Sequence, residues 1–275
     1  LRMIREILRF NEEAPSLMAE GGDDLRLGEF LEANGYSRGF IEHYLVPMGA
    51  AIWSTDPQRM LGFPARYFVR FFHNHGMLSV NDRPQWRVVR GGSREYVRRL
   101  TAPLASRVRL ATPVRGLRRH PGHVELELDQ GRERYDAAFV ACHSDQALAL
   151  LRDPSGAERE VLGAIRYQEN EVLLHTDTRL LPRARRAWAA WNYHVPAEPQ
   201  PRVALTYNMN LLQGLDAPET FCVTLNRAQA VDPAKVLKRL VYHHPLYTPA
   251  AVAAQARQAE LNAGRRTYYC GAYWG

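Results

Sequence analysis

The stretch from Trp86 to Leu151 constrains the fold more than any other, because its hydrophobic period changes in a fixed order. Val88 and Val89 read as a strand that runs into Arg90-Gly91-Gly92-Ser93. A helix follows: Ser93 stands where an N-cap belongs, and Val97, Leu100 and Leu104 recur on one face until Pro103 kinks or ends it. Short strands are expected at Val108 to Leu110, Val114 to Leu117 and Val124 to Leu128, the last alternating cleanly before the turn Asp129-Gln130-Gly131. Ala137 to Ala141 is an unbroken apolar run, as a strand buried on both faces requires. Ala141-Cys142-His143-Ser144 then occupies the position beyond a strand's carboxyl end, where open α/β sheets bind ligands.

Residues 1 to about 80 read as helical. Ile4, Ile7, Leu8 and Leu17 open the chain on a helical period, and a helix starts after Glu20-Gly21-Gly22-Asp23-Asp24. Ser37 caps a helix carrying Phe40, Ile41, Tyr44 and Leu45, which Val46-Pro47-Met48-Gly49 loosens or ends, and another helix covers Ala65 to Phe72. Beyond 152, strands are expected at Glu171 to Thr176, Val203 to Asn208 and Thr220 to Leu225, with helices at 233 to 241 and 249 to 261. Pro196 to Pro201 is a connection, and Thr267 to Cys270 is strand-like. The fold class is therefore α/β, mixed α+β, with no internal repeat.

At 275 residues and 46% hydrophobic content the chain is long enough for two modest cores. No apolar run approaches the roughly 20 residues that span a bilayer, and no signal peptide is evident. Cys142, Cys222 and Cys270 are odd in number and far apart, which argues against a disulfide framework and for a reducing cytoplasm. The net charge of +7 would ordinarily suggest nucleic acid, but only Lys235 and Lys238 of the 36 basic residues are lysines, and the arginines are interleaved with carboxylates. The cluster Arg179, Arg183, Arg185 and Arg186 is a solvated basic face, with an anionic membrane surface or a substrate carboxylate as the alternative partner.

The motifs carry little chemistry by themselves. Gly91-Gly92 permits a backbone path that side chains would block, either as a plain tight turn or at a ligand's edge. Cys142 and His143 are neighbours on an extended chain and point to opposite faces, so they do not read as a nucleophile and its base. His73 and His75 could share one face of a strand, yet nothing completes a ligand set and no metal is expected. Trp191-Asn192-Tyr193-His194 and Tyr207 to Gly214 hold aromatic and amide groups suited either to a pocket wall or to a core. No G-x-G-x-x-G occurs, so the usual phosphate-cradling loop is not in this sequence.

Taken together, Arg90-Gly91-Gly92-Ser93, Tyr135-Asp136 to Ser144, Trp191 to His194, Tyr207 to Gln213, Thr224-Leu225-Asn226 and Gly271-Ala272-Tyr273-Trp274-Gly275 resemble the flavin-containing amine oxidoreductase superfamily, in its bacterial group of predicted NAD/FAD-binding proteins. The resemblance implies a two-domain flavoprotein of amine oxidase or phytoene desaturase type. In it, 1–85 would be the helical part of a substrate domain with an antiparallel sheet, 86–151 the return segment of the FAD domain, 152–264 more substrate domain, and 265–275 the start of the last FAD segment. It further implies an interior piece of a longer enzyme, lacking the first dinucleotide-binding unit and the last flavin-binding helix.

By resemblance, FAD would lie against Arg90, Gly91, Gly92, Val114, Ala141, Cys142, Gly271, Tyr273, Trp274 and Gly275, with Val114 at the adenine. An apolar small-molecule substrate would meet Trp191, Tyr193, His194, Tyr207, Asn208 and Asn210. No catalytic residue is assigned, and neither lysine matches the one that many amine oxidases hold by the flavin. The implied activity is FAD-dependent hydride removal from an apolar, lipid- or isoprenoid-like, or amine substrate. The alternatives are an inactive fragment and a non-catalytic module that binds apolar ligands.

Overall fold

The computed structural model describes residues 1–19, 25–81, 84–195, 202–262 and 264–274. The stretch Glu20–Asp24 that precedes the expected helix start, the connection Pro196–Pro201 and the candidate Gly275 lie outside the described residues. The chain forms two compact units: Leu1–Arg98 with Gln168–His244, and Arg99–Tyr167 with Pro245–Gly275. The sequence reading placed its divisions at 85/86, 151/152 and 264/265.

The first unit begins with α1 (Arg2–Glu13), which buries Phe10, and α2 (Leu27–Ala33), which buries Leu27, Phe30 and Leu31. Ser37 caps α3 (Arg38–Phe40): its hydroxyl accepts from the Phe40 amide at 3.3 Å. The same hydroxyl donates to the Glu6 carboxylate at 2.5 Å, which ties the helix start to α1. The helix does not end at Pro47. A π turn, Ile41–Leu45, joins α3 to α4 (Val46–Trp53). Proline offers no N–H to the carbonyl one turn earlier, and the wider π turn absorbs that missing bond without breaking the helix.

After α5 (Pro57–Met60) and α6 (Ala65–Asn74), Trp53 packs on Phe63, Phe68 and Phe71, while Tyr36 and Phe40 stack with centroids 5.0 Å apart. The strand expected at Val88-Val89 does not form; Pro84–Val89 has no regular secondary structure and is exposed. Next comes α7 (Arg94–Thr101), which ends just before Pro103 and passes into a 3₁₀ turn, Ala102–Arg107. Val108–Leu110 is likewise not a strand, and with Leu110 exposed it has no apolar face to pair against.

In the second unit, β1 (Val114–Arg119), β2 (Val124–Leu128) and β3 (Gly131–Tyr135) form an antiparallel meander with Leu117 opposite Leu126 and Val124 opposite Tyr135. β4 (Ala138–Val140) precedes α8 (Ser144–Leu150) and α9 (Gly156–Ala164), the latter capped by Ser155 and Glu158. The expectation that the Ala137 to Ala141 strand is buried on both faces needs correction: Val140 is buried, but Phe139 is 74% exposed. Arg119 forms a buried ion pair with Glu158, whose carboxylate also accepts from the Tyr269 hydroxyl at 2.7 Å.

Back in the first unit, β5 (Tyr167–His175), β6 (Trp191–His194), β7 (Ala204–Asn208), α10 (Met209–Gln213), β8 (Cys222–Leu225) and β9 (Val236–Pro245) build a five-stranded sheet ordered β6-β7-β8-β5-β9. The helix expected over 233 to 241 is instead a 3₁₀ turn, Pro233–Lys235, leading into β9. Val236, Leu237, Leu240 and Val241 fit a helical period, but the β-branched and aromatic content suits an edge strand beside β5. Finally α11 (Pro249–Gln255), α12 (Gln258–Leu261) and β10 (Thr267–Tyr269) return to the second unit, where β10 pairs in parallel with β4. Among the described residues no helix is long and apolar enough to cross a membrane.

Candidate functional site

In the five-stranded sheet, alternation assigns each side chain a face. Register puts Tyr193 opposite Leu205 and Thr206 opposite Thr224. Trp191, Tyr193, Leu205, Tyr207 and Leu225 therefore share one face, and Asn192, His194, Thr206, Asn208 and Thr224 the other. The apolar face packs on α4 through Ala50, Ala51, Val203 and Leu205, with Tyr193 and Tyr207 beside them.

The opposite face carries a row of hydrogen bonds across four strands. The Asp177 amide donates to His175 Nδ1 at 3.0 Å, so the ring hydrogen sits on Nε2 and points to Thr224 Oγ1 at 2.7 Å. Thr224 and Thr206 hydroxyls meet at 2.8 Å, and Thr206 Oγ1 reaches His194 Nε2 at 2.9 Å. One consistent donor order runs from His175 through Thr224 and Thr206 to His194, with both rings neutral. Burial agrees: it lowers His175 from its ordinary range and, with Arg227 adding to it, holds His194 down to about 4.

A cavity of about 1110 Å³ lies against the apolar face, wholly within the first unit. His43, Tyr44, Pro47, Met48, Ala51 and Ile52 form one wall, at the i, i+1, i+4, i+5 spacing of a single helix face running from the π turn into α4. Trp191, Tyr193 and Leu205 form the sheet wall, and Leu211 to Gly214 extend it at α10. The remainder comes from Phe71, His75, Gly76, Met77 and the exposed stretch Pro84 with Trp86 to Val88. His75 Nδ1 donates to the Phe71 carbonyl at 2.8 Å, and its ring lies between Phe71 and Trp86, with centroids 3.9 and 6.0 Å away.

Of the sequence candidates for the pocket, Trp191 and Tyr193 line this cavity. Tyr207 shares their face and meets Trp191 edge-on at 5.3 Å without joining the lining. His194 and Asn208 face the other way. Asn210 is occupied in holding the loop, donating to the Glu219 carbonyl at 2.9 Å and accepting from the Phe221 amide at 2.8 Å. Pro47 loosens the helix rather than ending it, and the repeat 43/44, 47/48, 51/52 is the sequence signal for the wall that results.

The candidates for flavin contact fall in both units, and each group is described within its own. In the first, Gly91 and Gly92 have φ of 84° and 83°, which favours glycine at both positions. A Cβ at Gly92 would meet nothing within 4 Å, so conformation rather than close approach explains that residue. Gly91 to Arg94 with Gln213 and Leu215 line a second hollow of about 390 Å³, and Arg90 precedes it.

In the second unit, the carboxyl ends of β4 and β10 lie side by side, since Tyr269 pairs with Val140 and the Cys270 amide donates to the Val140 carbonyl at 3.1 Å. This gathers Ala141 and Cys142 with Gly271, Tyr273 and Trp274; Val114 stands apart at the start of β1. Tyr273 Oη and Trp274 Nε1 are buried there without a well-formed hydrogen bond. The Trp274 indole and the Tyr273 hydroxyl face each other there, and the carboxyl ends of a parallel pair are where open α/β sheets bind ligands. Burial raises the Cys142 thiol above its usual range, which leaves it a poor nucleophile.

His73 and His75 end a helix rather than a strand, so they do not share a face. Among the described residues no group of three or more His, Cys, Asp or Glu side chains could hold a metal.

Comparison with known proteins gives the fold and family. A CLA-producing fatty acid isomerase from P. acnes has a similar structure at 15% identity and a TM-score of 0.64, covering 98% of this chain and 69% of that one. Cyclohexylamine oxidase from Brevibacterium oxydans IH-35A is similar at 12% identity and a TM-score of 0.65, covering 99% and 70%. A candidate protoporphyrinogen oxidase from Exiguobacterium sp. 255-15 is similar at 15% identity and a TM-score of 0.61, covering 95% and 66%. The chain thus spans about two thirds of the length of these structures. No curated protein sequence matches it. Residues 12–190 match the flavin containing amine oxidoreductase family, and the chain belongs to that family.

Proposed function

We propose that this chain is the substrate-holding portion, with part of the flavin-holding portion, of an FAD-dependent oxidoreductase that acts on apolar molecules. The observation that carries this reading is the large apolar cavity between the sheet face and α4 in a member of a flavin family. A bound flavin supplies the hydride acceptor. Ala141, Cys142, Gly271, Tyr273 and Trp274, gathered at the carboxyl ends of β4 and β10 in the second unit, would hold it. The chain's own side chains bind and orient: Trp191, Tyr193, Leu205, Met48 and Ile52 clasp an apolar substrate and exclude water.

Amine oxidation is not the favoured activity. Neither lysine lies at the cavity; Lys238 is exposed on β9 and Lys235 precedes it. The basic group Arg183, Arg185 and Arg186, exposed near Trp188, would suit contact with an anionic membrane surface from which an apolar substrate is drawn.

The test is anaerobic mixing of the flavin-loaded protein with unsaturated apolar compounds and with alkylamines, following bleaching of the visible flavin bands. Bleaching by apolar compounds is expected. Bleaching by alkylamines alone would overturn the substrate class, and flavin that binds but is reduced by neither would favour a module that binds without redox chemistry.

A further inference from the structure

We infer that the cavity of the first unit takes an apolar chain carrying a carboxylate, and discriminates against the same chain carrying an amine. The inference deepens the proposed substrate-binding reading of that cavity and rests on it. Its ground is the charge of the lining. Arg87 is the permanently charged group there, and no Asp or Glu among the described residues lines it. Arg87 forms no ion pair with a described residue, unlike many of the chain's arginines, which sit on carboxylates. It belongs to the solvent-exposed stretch Pro84–Arg90, so its guanidinium serves the open side of the cavity while the aromatic and aliphatic walls serve the interior.

That polarity matches an amphiphile entering tail first. The tail displaces water from Met48, Ile52, Leu205 and Tyr193, and the head stays where Arg87 can meet a carboxylate with a two-point, charge-assisted hydrogen bond. An ammonium head would find aromatic faces for cation–π contact but no carboxylate, and would stand beside the Arg87 charge.

Trp86 and Trp191 line the cavity, so intrinsic fluorescence reports its occupancy without any flavin. The probes are oleate, oleyl alcohol and oleylamine, one tail with three heads, titrated below their micelle concentrations. Oleate should bind at least about tenfold tighter than oleylamine. Arg87→Gln should weaken oleate about tenfold while leaving oleyl alcohol unchanged, and Arg87→Lys should restore part of the loss. Since Arg87 is exposed, unchanged far-UV circular dichroism is expected for both variants. Oleylamine binding as tightly as oleate, or oleate binding unaffected in Arg87→Gln, would overturn the inference. Failure of all three probes would overturn it together with the substrate role of the cavity. Oleate preference in a protein that takes up no flavin would leave the inference standing and remove the redox function.

Discussion

Thr206 stands at the centre of the polar row on the sheet, bonded to Thr224 at 2.8 Å and to His194 at 2.9 Å. Thr206→Val keeps the shape and deletes both bonds, leaving two buried groups unpaired; urea unfolding should show a loss of about 1–3 kcal/mol. His194 adds a pH dependence whose sign is fixed. Its folded value of about 4 lies below the ordinary 6.5, so the unfolded chain takes up the proton first. Stability is fully present above about pH 6.5, falls as pH drops toward 4, and levels off below, by up to about 3 kcal/mol. His194→Gln should flatten that part of a pH–stability curve, and an unchanged slope would contradict the neutral row. Glu158 acts in the opposite pH range. Arg119 and the Ser155 amide overcome burial and lower its carboxyl to about 2, so its contribution is present above the ordinary 4.5 and is lost only as pH falls toward 2. Arg119→Ala would remove its main cation while leaving Arg265 at 3.5 Å, and should cost about 1.5–3 kcal/mol by the same measurement.

At the level of elements, the π turn and the strand register decide which side chains reach the cavity. Pro47→Ala frees an amide at that position and should let the turn tighten toward α geometry, rotating His43 and Tyr44 off the cavity wall. Affinity for an apolar probe should fall several-fold while thermal stability is kept. Trp191→Ala should weaken the same probe about tenfold by removing an aromatic wall, whereas His194→Gln, on the other face, should change it less than about twofold. The sequence announced the helical lobe, most strands and the aromatic pair Trp191 and Tyr193, because amphipathic period and local turn chemistry act over a few residues. At Pro47 it leaves open whether the helix loosens or ends, and the π turn decides for loosening. It suggested a helix at 233 to 241 where β9 forms, since Val236, Leu237, Leu240 and Val241 fit a helical period and only pairing with β5 overrides it. His194 and Asn208 were grouped with the pocket because alternation is visible in sequence but the direction of each face is not.

Over the whole molecule, basic charge is largely neutralised locally. Arg109 with Glu133, Arg115 with Asp129 and Arg152 with Glu127 pair at 2.6–2.8 Å in exposed positions. Such pairs contribute about 0–1 kcal/mol each, so moderate salt should lower the melting temperature only slightly. Family membership and the apolar cavity of the first unit support flavin-dependent chemistry. The decisive measurement is the visible absorption spectrum of the purified protein after incubation with excess FAD and gel filtration. Flavin bands that co-elute with the protein, and that weaken in Trp274→Ala, are expected. A folded protein that elutes colourless would contradict flavin binding by this chain.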